Sequence, residues 1–391
     1  MSDMNILNST DVVYVGVDDT EIDLFESQYS VPQGMCYNSY IIRDEKIAII
    51  DTVDVRKCKE WLENVEKALA GKTPDYMVIQ HMEPDHSGCI AKIVQKYPSL
   101  TIVASAKAVQ MLPQFFATTQ FEGKTMAVKE CDVLSLGKHS LKFITAPMVH
   151  WPEVIVSYDS STKTLFSADA FGTFGVMNAK GNWVDEARRY YCNICGKYGS
   201  PVSKLLEKAT TLDIETICPL HGPILQGELL QGSIRLYSLW SAYKPDSDGV
   251  FIAYASIHGG TKAVAEKMAE MLRQKGVKNL PVVDLCRTDY SEAVGRAFQM
   301  PKMIVASSSY DADVFSPMHD FLHRLQLKTY QNRTVGIIEN GSWAPSAGRV
   351  MKSMFETMKN IELVEPMVTI KSRMKEDDFA SLEQLAQALL C

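Results

Sequence analysis

Gln80-His81-Met82-Glu83-Pro84-Asp85-His86-Ser87-Gly88 sets four metal-capable side chains within six residues. The preceding Tyr76-Met77-Val78-Ile79 has the short apolar run of a buried strand, so the polar cluster falls on the loop at that strand's C-terminal end. A turn there can send His81 and Glu83 toward one ion and Asp85 and His86 toward a neighbour. An incidental polar loop is a poor account of the segment. The chain has eight histidines in all, and two of them stand here beside two acids.

Three more residues repeat the same placement further along the chain. His150, in Pro147-Met-Val-His150-Trp-Pro-Glu153, follows an apolar strand pattern; Asp169, in Leu165-Phe-Ser-Ala-Asp169, sits at another strand end; and His221, in Ile217-Cys-Pro-Leu-His221-Gly-Pro223, at a third. A strand-end Asp taken alone is more often a turn or cap residue. Together the three share one topology, polar side chains at the tips of apolar strands, which is where rigid scaffolds carry chemistry.

The surrounding pattern is mixed α/β. Ser39–Ile42 and Lys46–Asp51 read as a hairpin, Arg56–Ala70 as a helix and Asp75–Gln80 as a buried strand. Leu141–Thr145, Val154–Tyr158 and Thr164–Ser167 form a second run of short strands, and two strand-rich halves with interspersed helices imply an αββα sandwich. Tyr243-Lys-Pro-Asp-Ser-Asp-Gly249 reads as a linker, dividing the chain into residues 1–247 and 248–391. Beyond it, strand patterns at Val250–Ala255, Pro281–Cys286, Met303–Ser307, Thr334–Glu339 and Ile361–Ile370 alternate with helical ones. Five such units imply a doubly wound parallel sheet.

Composition sets outer limits. At 391 residues the chain is too long for one ordinary core, and two domains are expected. A net charge of −7 without a Lys/Arg block argues against a nucleic-acid partner. No stretch approaches the roughly 18 apolar residues of a spanning helix, and Met1–Thr10 lacks the pattern of a signal peptide. Nine irregularly spaced cysteines fit reduced thiols in a cytoplasmic protein.

The order and spacing of the polar residues resemble the metallo-β-lactamase superfamily, whose pattern is HxHxDH followed by His, Asp and His. Here the motif reads HxExDH, and Glu83 puts an anionic oxygen where a neutral imidazole would stand. Four His (81, 86, 150, 221) and three carboxylates (Glu83, Asp85, Asp169) are hard oxygen and imidazole donors that suit iron or manganese, with zinc chemically possible. HxExDH joined to a flavodoxin-like domain is similar to the flavodiiron proteins, or A-type flavoproteins. The likeness covers essentially the whole chain and includes Tyr37-Asn-Ser-Tyr40, Asp51-Thr-Val53 and His221-Gly-Pro223. It implies that His81, Glu83 and His150 hold one iron, that Asp85, His86 and His221 hold the other, and that Asp169 bridges them.

In the C-terminal part, Ser256-Ile257-His258-Gly259-Gly260-Thr261 joins the first strand to its helix. It matches the flavodoxin phosphate loop, where glycines admit an anion to a helix N-terminus. Two further loops leave strand C-terminal ends, where such folds bind ligands: Ser307-Ser308-Ser309-Tyr310-Asp311 and Asn340-Gly341-Ser342-Trp343-Ala344. FMN is the expected cofactor, with Tyr310 and Trp343 flanking its ring. Two departures from the family stand out. Ala306-Ser-Ser-Ser-Tyr310-Asp311 replaces Gly-Ser-Pro-Thr-Tyr-Asn, and Phe25-Glu26 occupies the place of an early histidine.

The resemblance implies reduction of O2 to water, of NO to N2O, or both. Electrons would come from an external donor such as a rubredoxin or a flavin reductase, since the chain has no rubredoxin part of its own. It also implies a head-to-tail homodimer or a dimer of dimers. Glu153, next to His150-Trp151, or a nearby tyrosine such as Tyr191 is a candidate proton donor. Two other readings compete. One is a dizinc hydrolase with a flavodoxin-like appendage; the other is an electron-transfer module with a vestigial metal site. Cys192-Asn-Ile-Cys195 with Cys218 and His221 could form a structural zinc site, but that would take His221 from the dinuclear set. His139, His258, His319 and His323 have no partner pattern and read as packed or solvated.

Overall fold

A computed structural model describes residues 9–117 and 121–391. The part of the N-terminal stretch at 1–8, read above as lacking a leader, lies outside the described residues. The chain divides into two compact units. The first comprises Met1–Tyr191 and Tyr198–Ser238, and the second Cys192–Lys197 and Leu239–Cys391.

The first unit is built on two six-stranded sheets. One runs, in spatial order, Val12–Tyr14, Tyr40–Ile42, Ala48–Ile50, Tyr76–Ile79, Thr101–Ser105, Thr125–Val128. Its first three strands pair antiparallel and the rest parallel. The other runs Val133–Ser135, Ser140–Thr145, Ile155–Asp159, Thr164–Phe166, Thr216–Cys218, Leu225–Gln226. Alternate residues of the two sheets, among them Tyr40, Ile42, Ile50, Val78 and Val103 from one and Leu141, Phe143, Ile155 and Phe166 from the other, form one core. Intervening residues such as Ile41, Ile49 and Met77 are equally buried. Strands buried on both faces read as continuous apolar runs rather than alternating ones, the pattern seen at Tyr76–Ile79. Helix Cys58–Leu69 buries Trp61, Val65 and Leu69 on one stripe, and the Trp61 indole donates to Ser39 Oγ at 3.0 Å.

The second unit is a parallel sheet in the order Val282–Asp284, Val250–Ala255, Lys302–Tyr310, Arg333–Asn340, Ile361–Ile370. Numbered by sequence this is 2-1-3-4-5, the flavodoxin-like doubly wound order. The third strand runs past the expected Ser307 to Tyr310, because Ser309 and Tyr310 pair back onto Asp313–Val314. Asp311 and Ala312 make that two-residue turn with φ of 50° and 59°, the left-handed conformation a tight hairpin demands.

His139 is packed rather than solvated. Its ring contacts Asp159 and Ser161 at 2.8 Å and Asp11 at 3.4 Å, tying the first strand's approach to the second sheet. The hydrogen bond with Asp159 raises the imidazole above its ordinary value against the opposing effect of burial. A raised cationic group stabilises the fold fully below its unfolded pKa of about 6.5 and loses that contribution as pH rises through the folded value. His139→Gln is therefore expected to cost about 1–3 kcal/mol below pH 6.5 and progressively less above it. Urea denaturation of both proteins at pH 6 and pH 9 measures the gap.

Candidate metal centre

All seven sequence-predicted ligands meet at the strand ends of the first unit. Gln80 and His81 leave the strand Tyr76–Ile79, and Pro84–Ser87 forms one helical turn that brings Asp85 and His86 inward. His150 arrives on the turn before Ile155–Asp159. Asp169 and His221 follow Thr164–Phe166 and Thr216–Cys218. Ala168, just before Asp169, is left-handed at φ 50°, which turns the chain as it leaves the strand.

Two donor groups result, His81/Glu83/His150/Asp169 and Asp85/His86/His221. In the first, Glu83 Oε2 lies 3.2 Å from His81 Nε2 and 3.0 Å from His150 Nε2, and Asp169 Oδ2 lies 3.1 Å from His150 Nε2. In the second, Asp85 Oδ2 stands 3.3 Å from His86 Nε2 and 3.2 Å from His221 Nε2. The other Asp169 oxygen, Oδ1, faces this second group, at 3.1 Å from His86 Nε2 and 3.8 Å from His221 Nε2.

The donor set fits cations. Ligands held about 2.0–2.2 Å from one ion stand roughly 3.0–3.5 Å apart, the separations seen here. Both Asp85 oxygens, Asp169 Oδ1, His86 Nε2 and His221 Nε2 are buried without a hydrogen-bond partner. Such a gathering of unsatisfied donors and acceptors is costly unless something binds them. Three carboxylates with four imidazoles favour iron or manganese over softer metals. Burial alone would raise Glu83, but His150 and His81 draw it down to about 2. Burial alone would lower His150, but Asp169 and Glu83 lift it to about 9.

A second layer orients these ligands. His81 Nδ1 donates to Glu153 Oε1 at 2.8 Å, which also accepts from Met82 N at 2.9 Å; His221 Nδ1 donates to the Cys36 carbonyl at 2.7 Å. Each contact leaves Nε2 as the lone-pair nitrogen facing the donor group. Asp51 accepts from Gln80 N at 2.8 Å, its side chain at 3.1 Å and His81 N at 3.4 Å. Burial, offset by these bonds, leaves Asp51 raised to about 6. Glu153 thus lies behind His81 and positions it, rather than standing open to deliver protons. Of the neighbouring tyrosines, Tyr190 packs on His221 with ring centroids 5.7 Å apart, while Tyr191 packs on Tyr237 at 5.0 Å. Phe25 meets His221 edge-on at 5.2 Å, placing the Glu26 hairpin beside the centre. Neither donor group contains a cysteine, and His221 is taken up by the second of them.

Glu153→Gln keeps the shape and removes the charge that fixes His81. Metal affinity is expected to fall about 10–100-fold, read by chelator competition.

In the second unit the three predicted loops meet at the strand C-terminal ends, with a fourth that sequence reasoning missed. Gly259 is left-handed at φ 86°, and Gly260 opens the helix Gly260–Gln274. Thr261 Oγ1 bonds Ser308 Oγ at 2.8 Å, and Ser309 Oγ accepts from Ser346 N at 2.8 Å. The missed element is Ser372. Its carbonyl accepts from the Asn340 amide at 3.0 Å, its N–H donates to Asn340 Oδ1 at 3.0 Å, and its hydroxyl bonds Ser342 at 2.7 Å. A Cβ on Gly260 would stand 2.4 Å from that same carbonyl, so the cradle has room for hydrogen only. Ile257, His258 and Ala344 are exposed, and Gly341 is half-buried. Tyr310 is 51% exposed and Trp343 92%, aromatic faces available to a flat ligand.

Comparison with known proteins agrees with this arrangement. The family model for the ODP family beta lactamase matches residues 35–222. An anaerobic nitric oxide reductase flavorubredoxin of Salmonella arizonae is 26% identical over 361 residues, which is 88% of this chain and 74% of that protein. Among solved structures, the rubredoxin:oxygen oxidoreductase of Desulfovibrio gigas superposes with a TM-score of 0.89 at 25% identity, covering 97% of this chain and 96% of that one. The flavodiiron protein of Giardia intestinalis shares the fold at 22% identity and a TM-score of 0.88, covering 97% and 95%.

Proposed function

The chain belongs to the flavodiiron proteins, and from that premise we propose that this oxidoreductase reduces O2 to water, NO to N2O, or both. The observation that carries the reading is Asp169, whose two oxygens face different imidazole groups, the arrangement a bridging carboxylate requires. When bound, two irons would supply redox-active centres for a diatomic molecule, and FMN would store two electrons and pass them on singly.

The chain's own residues prepare both sites. His81, Glu83, His150 and one oxygen of Asp169 would hold one iron; Asp85, His86, His221 and the other oxygen would hold the second. Glu153 and the Cys36 carbonyl fix the tautomers of His81 and His221, so those two rings are held with Nε2 toward the donor groups. Glu83, Asp85 and Asp169 bring three negative charges that offset most of the charge of two divalent ions in a buried place. Ser256, Ile257, His258, Gly259, Gly260 and Thr261 would hold the FMN phosphate with backbone N–H groups and hydroxyls. Ser308, Ser309, Asp311 and the loop Asn340–Ala344 would hold the ring, with Tyr310 and Trp343 offering it their exposed faces.

An external donor, a rubredoxin or a flavin reductase, would feed the flavin. A head-to-tail homodimer, alone or doubled, would bring one protomer's flavin to its partner's irons. Among the described residues no helix is long and apolar enough to cross a membrane. Among the described residues no cysteine is in a disulfide, which suits a cytoplasmic location.

The test is anaerobic reduction of the purified holoprotein, then separate titration with O2 and NO while the flavin spectrum is followed, with metal analysis of the same sample. Iron with flavin reoxidation by either gas is the expected result. Zinc with esterase or lactonase turnover and no reoxidation would replace the reading with that of a hydrolase.

A further inference from the structure

His221 reaches the second donor group on a loop, Pro219–Gly222, that leaves the strand Thr216–Cys218 of one sheet. Its companions Asp85 and His86 stand on the helical turn that follows Tyr76–Ile79 of the other sheet. The second metal position therefore straddles the two sheets, and its shape depends on what ties their loops together. Asn38, fully buried just ahead of the strand Tyr40–Ile42, makes that tie. Its Nδ2 donates to the Pro219 carbonyl at 2.8 Å and to the Gly222 carbonyl at 2.9 Å, the two ends of the loop. Its backbone N–H donates to the Leu220 carbonyl between them at 2.8 Å.

We propose that Asn38 is the positioning residue of the second metal position: without touching the ion, it sets where the His221 imidazole stands and so how tightly Asp85, His86 and His221 hold a metal. The proposal takes from the flavodiiron reading only that this metal is iron. Backbone carbonyls in a buried loop need partners, and an amide group offers two hydrogens on one nitrogen, matched here to two carbonyls. Tyr14 fixes which end of the amide faces the loop, because its hydroxyl donates to Asn38 Oδ1 at 3.0 Å. Tyr40 adds a second bond to the Pro219 carbonyl at 3.1 Å.

The neighbours remove the remaining freedom. Cys36 accepts from His221 Nδ1 through its carbonyl at 2.7 Å and from Gly222 N through its sulfur at 2.8 Å. Gly222 is left-handed at φ 82°, and a Cβ there would stand 2.1 Å from Thr173 Cγ2, so the turn has no room to swing that way. Cys36 thus sets the direction of the ring, and Asn38 sets the place of the loop that carries it. The first donor group has a tie of its own, made of other residues. Ser157 Oγ donates to Gln80 Oε1 at 2.6 Å, Ile155 N donates to the Gln80 carbonyl at 3.1 Å, and Glu153 holds His81. Two separate ties mean that the positions can be loosened one at a time, although Asp169 faces both.

The experiment challenges anaerobic holoprotein with a chelator and follows metal retained per protomer beside the flavin absorbance. Asn38→Asp keeps the volume but turns lone pairs toward two carbonyls. It is expected to weaken one metal position roughly 10–100-fold, as loss of a ligand's supporting partner does, while the other position and FMN stay at the wild-type level. His221→Asn should give the same pattern, and the double variant should lose no more than His221→Asn alone, since a positioning residue acts through the ligand it holds. Tyr14→Phe keeps both amide bonds to the loop and should loosen the same position by a smaller factor; it decides the matter if the Asn38 variant does not fold. Equal loss from both positions, additive loss in the double variant, or wild-type retention in both Asn38→Asp and Tyr14→Phe would each overturn the proposal. Wild-type protein that holds zinc and does not react with O2 or NO would overturn the flavodiiron reading instead, and the release comparison is then made on the zinc.

Discussion

Asp169→Asn is expected to strip the protein of iron and abolish gas reduction while FMN remains bound. The substitution keeps volume and shape but turns one of two facing oxygens into an amide that presents hydrogens, not a lone pair, to an imidazole nitrogen. It also removes one of three negative charges from a buried place. Leaving buried charge without its partner costs about 3–5 kcal/mol, which is two to four decades in occupancy. Because Asp169 Oδ2 lies 3.1 Å from His150 and Oδ1 3.1 Å from His86, one substitution should empty both positions, whereas His221→Asn should weaken mainly one. Metal content per protomer, read beside the flavin absorbance, checks this. Stoichiometric iron and unchanged turnover in Asp169→Asn would remove the bridge from the account.

The complementary result is expected from Gly260→Val: loss of FMN with iron retained. The new Cβ would sit 2.4 Å from the Ser372 carbonyl oxygen. That carbonyl cannot retreat, because Asn340 accepts from the Ser372 N–H and donates to its oxygen. Overpacking of this kind costs about 1–3 kcal/mol, so flavin occupancy at a fixed FMN concentration should fall roughly 10–100-fold. Donor-dependent turnover should fall with it. Flavin retained at the wild-type level would show that the phosphate lies elsewhere. Together the two variants separate the sites, each losing one cofactor and keeping the other.

Much of this was legible in the chain because the relevant signals are local. Tyr76-Met-Val-Ile79 reads as a strand since four consecutive apolar residues suit burial on both faces, and the four metal-capable side chains follow at once. The five strand patterns after residue 250 are separated by helical periodicity, and that alternation leaves a parallel sheet as the economical solution. Local reading ran short where a residue's role depends on a distant neighbour. Glu153 read as a free carboxylate beside His150, yet its partner is His81, 72 residues away. Tyr190 and Tyr191 are adjacent in sequence, and only the helix's rotation decides which meets His221. The strand through Ser308–Tyr310 looked like a loop because serines are poor strand formers; pairing with Val314 and Asp313 overrode that preference.

The sequence alone determined the main strand and helix patterns, the seven ligand candidates and the loops proposed to hold a flavin. These follow from short-range patterning, which the chain carries wherever it folds. The tertiary structure decided which nitrogen of His81 and of His221 is free, which oxygen of Asp169 faces which group, and that Ser372 closes onto Asn340 and Ser342. Each of these is a contact between residues remote in the chain, and such contacts are fixed only when the strands register and the core closes around them.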